Sequence, residues 1–439
     1  MPSRIAFLFA LYFIVSSSVQ AEAVWPQFRG VDGQGHAEGE GLPLEWSEEK
    51  NIVWKTPIKG RGWSSPVFAD GKIWLTSATA SYVSEAERAA KVAGSPVADA
   101  MEVASKVVLW AIEVDQQSGE VLRNVKVFEV DQPQPIHSLN SFASPTSVLA
   151  DGKLYCHFGA YGTACIDVST GVTLWKQKIV VNHDVGPGSS PVLVGNRLIL
   201  TFDGVDDQFI VGLDAESGEI VWKADRPPLA AERGDFRKAF STPLLIEAGG
   251  RQQVVIPGAQ WFVSYDPQTG EEIWRVEHGR GFSNAPRAVF DGQRLFLCTG
   301  FMKPQLWAVR PNGSGDVTES HVQWKQKKQI PSMSSPIVVG QRIYVVSDGG
   351  VISCFDTVSG AKVWRARMEG KYSASPLYVD GRLYFCSQDG RTTVIAPGDK
   401  YVELARNELD GQLMASPAVV DADLLLRTDT HLYRIGATR

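Results

Sequence analysis

Histidines, acids and arginines gather in four polar stretches between residues 135 and 240, and these side chains can bind ligands or metal ions. The stretches read PIHSLNS (135–141), VNHDVGPG (181–188), FDGVDDQF (202–209) and ERGDFRKAF (232–240). They predict either a pocket for a polar ligand or, in a narrower interpretation, a divalent-metal site. The alternative is that these side chains cap turns or face solvent, as lone histidines and loop acids usually do. The residues concerned are His137, Asn140, His183, Asp184, Asp203, Asp206, Arg233 and Arg237.

Sequence motifs of other common chemistries are missing. The chain contains no H-E-x-x-H, G-x-S-x-G, P-loop or C-x-x-C-H sequence. The glycine-rich GVDGQGHAEGEG (30–41) does not lie between a strand and a helix, so we do not expect it to bind phosphate. NGSGDVTE (312–319) has Val317 where a calcium-binding EF-hand loop needs glycine, which favours an ordinary turn. We therefore predict no catalytic, cofactor-binding or metal-binding residues.

The elements that position the polar stretches are repeats. Past residue 60 the chain returns eight times to a small residue, a proline and two apolar runs joined by a glycine turn, as in SSPVFADGKIWL (64–75). Most of these units are 40 to 52 residues apart, and each contains four short strand patterns. Four strands at this period are typical of a β-propeller blade. The prolines are Pro66, Pro145, Pro191, Pro243, Pro286, Pro336, Pro376 and Pro417.

The eighth unit ends after three strand patterns, and NIVWKTPI (51–58), before the first unit, supplies a fourth. Joining the two ends in one blade removes two exposed sheet edges. We therefore predict an all-β fold, an eight-bladed propeller of four-stranded blades over residues 52–439, with a 24–51 N-terminal extension.

A second motif ends several units, as in CFDTVSGAKVW (354–364). The acid is expected to accept backbone N–H groups of a turn, the glycine to take a positive φ, and the tryptophan to fill the wedge between blades. This predicts a structural girdle and requires no ligand. Its members are Asp167, Asp214, Asp266, Asp356, Gly171, Gly218, Gly270, Gly360, Trp54, Trp175, Trp222, Trp274, Trp324 and Trp364.

These windows resemble the tryptophan-docking motif of quinoprotein dehydrogenases and, more broadly, the PQQ-like repeat superfamily, which includes BamB-like propellers of outer-membrane protein assembly. WPQFRGVDGQG (25–35) also resembles the start of exported PQQ-like repeat proteins. In the dehydrogenases the resemblance implies PQQ above the central channel, a calcium or lanthanide ion, and adjacent cysteines. This sequence has no Cys-Cys pair, and no acid–Asn–Asp set matches the metal site.

The resemblance therefore favours a non-catalytic scaffold that binds an envelope or extracellular protein, or a small ligand over the channel. The alternatives are a PQQ- and Ca²⁺-dependent alcohol or sugar dehydrogenase, and a propeller that binds an extracellular polymer or carbohydrate. Loops that join blades share one face with those joining second and third strands, and function usually resides there in this superfamily.

A ring of residues on that face is the predicted binding site. Taking the residue three before each proline gives eight positions, of which five are large and apolar: Trp63, Phe142, Phe240, Met333 and Met414. The other three are Gly188, Ser283 and Ser373. Such a ring indicates either a docking site for a partner or the packing of the inner strands.

The first 23 residues predict export. A positively charged MPSR, the apolar run IAFLFALYFIV (5–15) and the small residues that follow have the order of a secretory signal peptide (1–23). The run is too short to cross a membrane, and no later stretch is long and apolar enough. The first cysteine is Cys156, so we expect no lipid anchor and a soluble periplasmic or secreted protein. A net charge of −6 argues against nucleic acid as a partner.

Two local features complete the prediction. Alanine-rich residues 84–107, with N-cap signals at Ser84 and at Ser95, predict two short helices that interrupt the first blade between its second and third strands. Cys156 and Cys165 flank HFGAYGTA, so they form either a strained cross-strand disulfide or two buried thiols.

Overall fold

Strands make up most of the molecule, as a computed structural model that describes residues 24–279 and 281–437 shows. The predicted signal peptide lies outside these residues. In chain order the strands are β1 Ile52–Pro57, β2 Val67–Ala69, β3 Lys72–Tyr82, β4 Met101–Glu102, β5 Ala104–Asp115, β6 Val121–Asp131, β7 Ile136–His137, β8 Val148–Ala150, β9 Lys153–His157, β10 Thr163–Asp167, β11 Thr173–Gln177, β12 Val192–Val194, β13 Arg197–Asp203, β14 Gln208–Asp214, β15 Ile220–Asp225, β16 Leu244–Ala248, β17 Arg251–Pro257, β18 Trp261–Tyr265, β19 Glu272–Glu277, β20 Val289–Phe290, β21 Leu295–Cys298, β22 Leu306–Val309, β23 Gly315–Asp316, β24 Val322–Gln326, β25 Ile337–Val339, β26 Arg342–Val346, β27 Val351–Asp356, β28 Lys362–Arg367, β29 Leu377–Val379, β30 Arg382–Cys386, β31 Arg391–Ala396, β32 Val402–Glu408, β33 Ala418–Val420, β34 Asp423–Arg427 and β35 His431–Ile435. The α-helices are α1 Glu85–Lys91 and α2 Thr318–His321.

Eight sheets, each built on four antiparallel strands, form the blades, which confirms the predicted eight-bladed propeller. In order, blades 1 to 8 are β2-β3-β5-β6, β8-β9-β10-β11, β12-β13-β14-β15, β16-β17-β18-β19, β20-β21-β22-β24, β25-β26-β27-β28, β29-β30-β31-β32 and β33-β34-β35-β1. The N-terminal strand closes the last blade as predicted, because β1 pairs with β35 through Trp54↔Arg434 and Lys55↔Tyr433. No helix in the described ranges is both long and apolar enough to cross a membrane.

The tryptophan of one blade docks onto the turn of the next. Trp324 Nε1 donates a hydrogen bond to Thr357 O (3.1 Å), and its ring lies only 2.5 Å from where a Cβ on Gly360 would be. The Asp356 carboxylate accepts the N–H of Ser359 at 2.8 Å and so holds that turn. The same contact joins Trp54 to Gly119, Trp175 to Gly218 and Trp222 to Gly270.

Blade 4 departs from this pattern. Trp274 is fully buried and donates to Gln253 Oε1 (2.8 Å) within its own blade. The rim strand β19 is covered by β23, which pairs with it in parallel. Blade 4 therefore has a fifth strand, and its edge is closed by a segment of blade 5.

A belt of hydroxyl groups links the inner strands. In six of the eight blades, the residue two before the inner strand donates its backbone N–H to the side-chain hydroxyl of the equivalent residue in the next blade. Six such bonds of 2.9–3.0 Å occur, and in blade 5 an arginine replaces the hydroxyl. The pairs are Ser65–Thr146, Thr146–Ser190, Ser190–Thr242, Arg287–Ser335, Ser335–Ser375 and Ser375–Ser416.

Residues 25–37, which we call the plug, lie against the channel side of the inner strands. Trp25 and Phe68 exchange two backbone hydrogen bonds of 2.9 Å, and Tyr378 N–H donates to Gly35 O at 2.8 Å. The plug also contacts the second residue of the inner strand in blades 2, 5 and 6, which are Leu149, Phe290 and Val338. The glycine-rich stretch of the sequence thus serves to pack the N-terminal segment into the channel.

The insertion in blade 1 contains less helix than predicted. Helix α1 begins at its N-cap Ser84, whose Oγ accepts the Glu87 N–H at 3.3 Å. The prediction of a second helix is wrong. The chain forms only a single 3-10 turn at Ala98–Ala100, and residues 104–107 already belong to β5. Alanine content overestimated helix here because pairing with β3, which extends to Tyr82, takes up those backbone groups.

The cysteines are all buried thiols. Cys156 pairs with Ala164 in the ladder, and Cys165 with Tyr155, so the two sulfurs do not face each other and no disulfide forms. Burial raises the pKa of Cys156 to about 12 and that of Cys165 to about 11, so both remain protonated at neutral pH.

Candidate functional site

The channel mouth lies on the face where loops join consecutive blades, which we call the top face. Trp63, Phe240, Met333 and Met414 are half-buried there, at equivalent positions two residues before the hydroxyl belt. Ser373 Oγ contacts Met333 Sδ at 3.5 Å, so ring residues of blades 6 and 7 touch. The mouth therefore offers both apolar surface and hydroxyl groups.

Phe142 does not belong to this ring. It is only 2% exposed and packs in the core against Tyr161, with ring centroids 5.9 Å apart. In blades 2 and 5 the inner strand starts three residues after the proline instead of one, so counting back from Pro145 or Pro286 selects the wrong residue. The equivalent positions in these blades are Ser144 and Ala285.

The polar stretches converge partly, on a small cavity between blades 2, 3 and 4. His157, His183, Thr201, Asp203 and Phe240 are among its lining residues, and its volume of about 20 Å³ is large enough for one water molecule. His183 Nε2 accepts the Ala160 N–H at 2.7 Å, so the proton of the neutral ring lies on Nδ1. Burial lowers the pKa of His183 to about 4 and that of His157 to about 3, which keeps both rings neutral.

Asp203 is committed to an ion pair. Its carboxylate accepts two hydrogen bonds from Arg226, at 2.9 and 2.7 Å, and both side chains are almost completely buried. Arg237 lines a second cavity of about 10 Å³ beside this pair and donates to Gln208 Oε1 at 3.0 Å. Asp203 is therefore a structural group and not a free ligand.

The other predicted polar residues hold loops. His137 Nδ1 accepts the Leu139 N–H (3.1 Å), and Asn140 Nδ2 donates to Val185 O (2.9 Å). Asp206 caps the Asn182 N–H at 2.9 Å. Asp184 pairs with Lys238, and Arg233 with Asp235. These contacts favour the turn-capping interpretation over a shared ligand site.

The blade 1 insertion lies over this sector of the top face. Val92, Met101 and Val103 form a small apolar cluster with Val185 of the loop into blade 3. Strand β4 pairs with β7 through Met101↔His137, and Glu102 forms an ion pair with Arg61. The insertion thus covers the polar loops of blades 2 and 3 and leaves blades 4 to 6 uncovered.

An apolar cluster that the sequence analysis did not find lies on that uncovered part. Phe236 and Phe282 pack with centroids 4.7 Å apart, and Phe301 hydrogen-bonds through its N–H to Phe282 O at 2.9 Å. Phe301 is 39% exposed and Met302 66% exposed. The repeat pattern does not mark these residues, and the available signal was the GFMKP sequence (300–304), which lies between the second and third strands of blade 5.

The donor set does not fit the PQQ and calcium site that the family resemblance implies. Among the described residues no group of three or more His, Cys, Asp or Glu side chains is placed to hold a metal ion. The buried acid of the polar stretches, Asp203, is already paired with Arg226.

Sequence comparisons agree with the fold. The family model described as outer membrane protein assembly factor BamB matches residues 109–260 and 306–400, together more than half of the chain. BamB of Alkalilimnicola ehrlichii is 28% identical over 216 residues, covering 47% of this chain and 50% of that protein. A 1-butanol dehydrogenase (quinone) of Thauera butanivorans is 24% identical over 216 residues, covering 45% and 32%. The chain thus spans about half or less of these curated relatives.

Solved structures share the architecture at low identity. Quinohemoprotein alcohol dehydrogenase of Comamonas testosteroni superposes with a TM-score of 0.64 at 11% identity, covering 95% of this chain and 81% of that one. BamB of Moraxella catarrhalis gives 0.55 at 13%, covering 88% and 99%. Likeness at this identity establishes the fold alone.

The molecule is an eight-bladed propeller whose girdle motifs seal one blade to the next and whose top face carries the apolar surface. The repeats and the match to the family model show that the chain belongs to the PQQ-like β-propeller repeat family.

Proposed function

We propose that this protein is an exported, non-catalytic propeller that binds an envelope protein on its top face. The observation that carries this proposal is the apolar surface there, which consists of the half-buried mouth residues Trp63, Phe240 and Met333 and the exposed Phe301 and Met302 in the loop of blade 5. Exposed apolar clusters on a soluble domain mark interaction sites. The matched BamB of Alkalilimnicola ehrlichii is named as an assembly factor, which supports a binding role.

The polar chemistry of the top face supports the same proposal. Its buried acids and histidines are used in ion pairs, caps and neutral hydrogen bonds, and the two cavities described above measure only about 10 and 20 Å³. A substrate of even modest size needs a pocket of about 300 Å³ or more. Binding over a surface therefore agrees with the geometry better than turnover in a pocket.

Pull-down from envelope extracts tests the proposal. We expect the full chain to retain a specific partner and the Trp63→Ala/Phe240→Ala/Met333→Ala variant to lose it. The matched control is Val358→Ser, because Val358 is 54% exposed on the opposite face. Retention of the same proteins by all variants would exclude the mouth as the binding site, and no specific partner at all would exclude the scaffold role.

A quinone-dependent dehydrogenase is the second candidate, which the match to the Thauera butanivorans enzyme favours. Titration of the purified protein with PQQ and Ca²⁺, followed by a dye-linked alcohol assay, separates the two. Saturable PQQ binding with turnover would replace the scaffold proposal.

A further inference from the structure

The uncovered part of the top face carries positive charge beside its apolar cluster. Lys303 follows Met302 in the loop of blade 5, and Lys327 and Lys328 lie in the loop from blade 5 to blade 6. All three lysines are exposed, and none forms an ion pair with a described residue. We call Phe282, Phe301, Met302, Lys303, Lys327 and Lys328 the basic apolar patch.

No acidic side chain in the described ranges forms an ion pair with these three lysines. Glu369, which follows blade 6, pairs instead with Arg391 and Arg406 of blade 7. Adjacent lysines at 327 and 328 also repel each other. Three exposed lysines without ion pairs, on a chain of net charge −6, therefore favour a ligand that brings acidic groups to this part of the top face.

The backbone holds the apolar part of the patch outward. Met302 and Lys303 both adopt the left-handed region, with φ of 67° and 69°. Non-glycine residues in this region are strained, and strain of this kind persists where surrounding contacts enforce it, often at binding sites. Here the hydrogen bond from Phe301 N–H to Phe282 O and the packing of Phe282 on Phe236 fix the loop.

We propose that the basic apolar patch binds an acidic segment of a partner protein in which apolar side chains alternate with Asp or Glu. The apolar side chains would cover Phe301 and Met302 while the acids pair with Lys303, Lys327 and Lys328. A short segment is favoured over an anionic membrane, because a lipid surface would repel the rest of a molecule with net charge −6. This inference rests on the proposed scaffold function and names the chemistry of its partner.

Peptide binding to the full chain tests the proposal. The probe is a short fluorescein-labelled peptide of alternating Glu and Leu or Phe, measured by anisotropy, and the comparison is the same peptide with Lys for Glu. We expect the acidic peptide to bind at least about tenfold more tightly, with affinity falling as salt rises. Lys327→Glu/Lys328→Glu and Phe301→Ser/Met302→Ser should each weaken it about tenfold.

Matched changes on the opposite face control for charge and hydrophobicity. Lys400→Glu and Val358→Ser alter exposed residues of blade 7 and blade 6 turns and should leave the acidic peptide bound. Equal affinity for both peptides, or equal loss in the controls, would overturn the proposal. Binding only to phosphatidylglycerol vesicles, or a patch-dependent shift in sedimentation of the free protein, would overturn it in favour of a membrane or a second copy.

The outcome is separable from that of the scaffold proposal. An envelope partner that depends on Trp63 and Phe240 and is unaffected by the patch variants would remove this inference and leave the scaffold role intact. Absence of any partner in the pull-down would remove the scaffold role.

Discussion

Single hydroxyl groups near the channel accept hydrogen bonds from backbone amides that strand pairing leaves without a partner. In six blades the amide two residues before the inner strand points toward the next blade and is not part of a strand ladder. A serine or threonine there supplies the acceptor, as Ser375 does for the Ser335 N–H at 3.0 Å. Ser375 Oγ also donates to Ser335 Oγ at 2.9 Å, so one side chain satisfies two buried groups. The small residue that precedes most of the repeated prolines therefore has a hydrogen-bonding reason.

Replacing Ser375 by alanine tests the belt. Ser375 is 3% exposed, so the change leaves the Ser335 amide buried without a partner, and we expect a loss of about 1–3 kcal/mol in the free energy of unfolding. Urea denaturation followed by tryptophan fluorescence measures it. Ser81→Ala, at the exposed end of β3, should stay within about 0.5 kcal/mol. Equal effects of the two changes would mean that the belt does not stabilise the fold.

The buried histidines should make the free energy of unfolding decrease as the pH falls from neutral to mildly acidic values. Burial lowers the pKa of His183 to about 4, whereas an unfolded histidine titrates near 6.5. The unfolded state therefore takes up a proton first as pH falls below 6.5, and the free energy of unfolding decreases toward pH 4. For one such ring the loss is about 2 kcal/mol at pH 5.

Urea titrations at pH 7.5, 6 and 5 measure this dependence. His183→Gln keeps an acceptor for the Ala160 N–H and should lose about 2 kcal/mol less than the unaltered protein between pH 7.5 and 5. His321→Gln, at a half-buried position, should change the slope much less. Parallel curves for His183→Gln and the unaltered protein would show that His183 is not held neutral.

At the scale of elements, the blades could be predicted and their exact register could not. Alternating apolar residues and the glycine turns depend on local physics, so the strands and the closure by β1 follow from the sequence. Phe142 was misplaced because the inner strand of blade 2 starts two residues later relative to its proline than in most blades. The Phe301–Met302 loop was missed because its exposure depends on tertiary contacts with Phe282.

Alanine substitutions at two glycines test whether the girdle tryptophan of one blade packs tightly on the turn of the next. A Cβ at Gly360 (φ 71°) would lie 2.5 Å from the Trp324 ring, whereas one at Gly381 (φ 68°) meets nothing within 4 Å. Alanine at either position costs about 1 kcal/mol for the backbone, and at Gly360 the clash adds about 1–3 kcal/mol. We expect Gly360→Ala to lower the melting temperature clearly more than Gly381→Ala. Equal shifts would mean that Trp324 does not dock tightly on the neighbouring blade.

At the scale of the whole molecule, the N-terminal region joins blades that are far apart in the ring. The girdle and the belt connect only neighbours, whereas the plug bonds to inner strands of blades 1, 2, 5, 6 and 7. Arg287 holds it through Phe28 O at 2.7 Å and Gly33 O at 3.1 Å. Burial and repulsion by Arg287 lower the pKa of Arg29 to about 9, so two cationic side chains sit in the channel against carbonyl oxygens. The plug thus connects distant blades, and burying the charges of Arg29 and Arg287 beside each other makes this arrangement electrostatically unfavourable.

Weakening the contacts of the plug should therefore destabilise the inner strands of several distant blades at the same time. A Cβ at Gly33 (φ 69°) would lie 2.2 Å from Arg287 Nη1, whereas Gly41 (φ 82°) has open space, so Gly33→Ala and Gly41→Ala form a matched pair. Four amides donate to plug oxygens, those of Phe68, Leu149, Phe290 and Tyr378. Because they share one segment, we expect Gly33→Ala to speed their hydrogen exchange jointly by about tenfold, while Gly41→Ala leaves it unchanged. Faster exchange at Phe290 alone, next to Arg287, would show instead that the plug is a set of independent contacts and not a single brace across the ring.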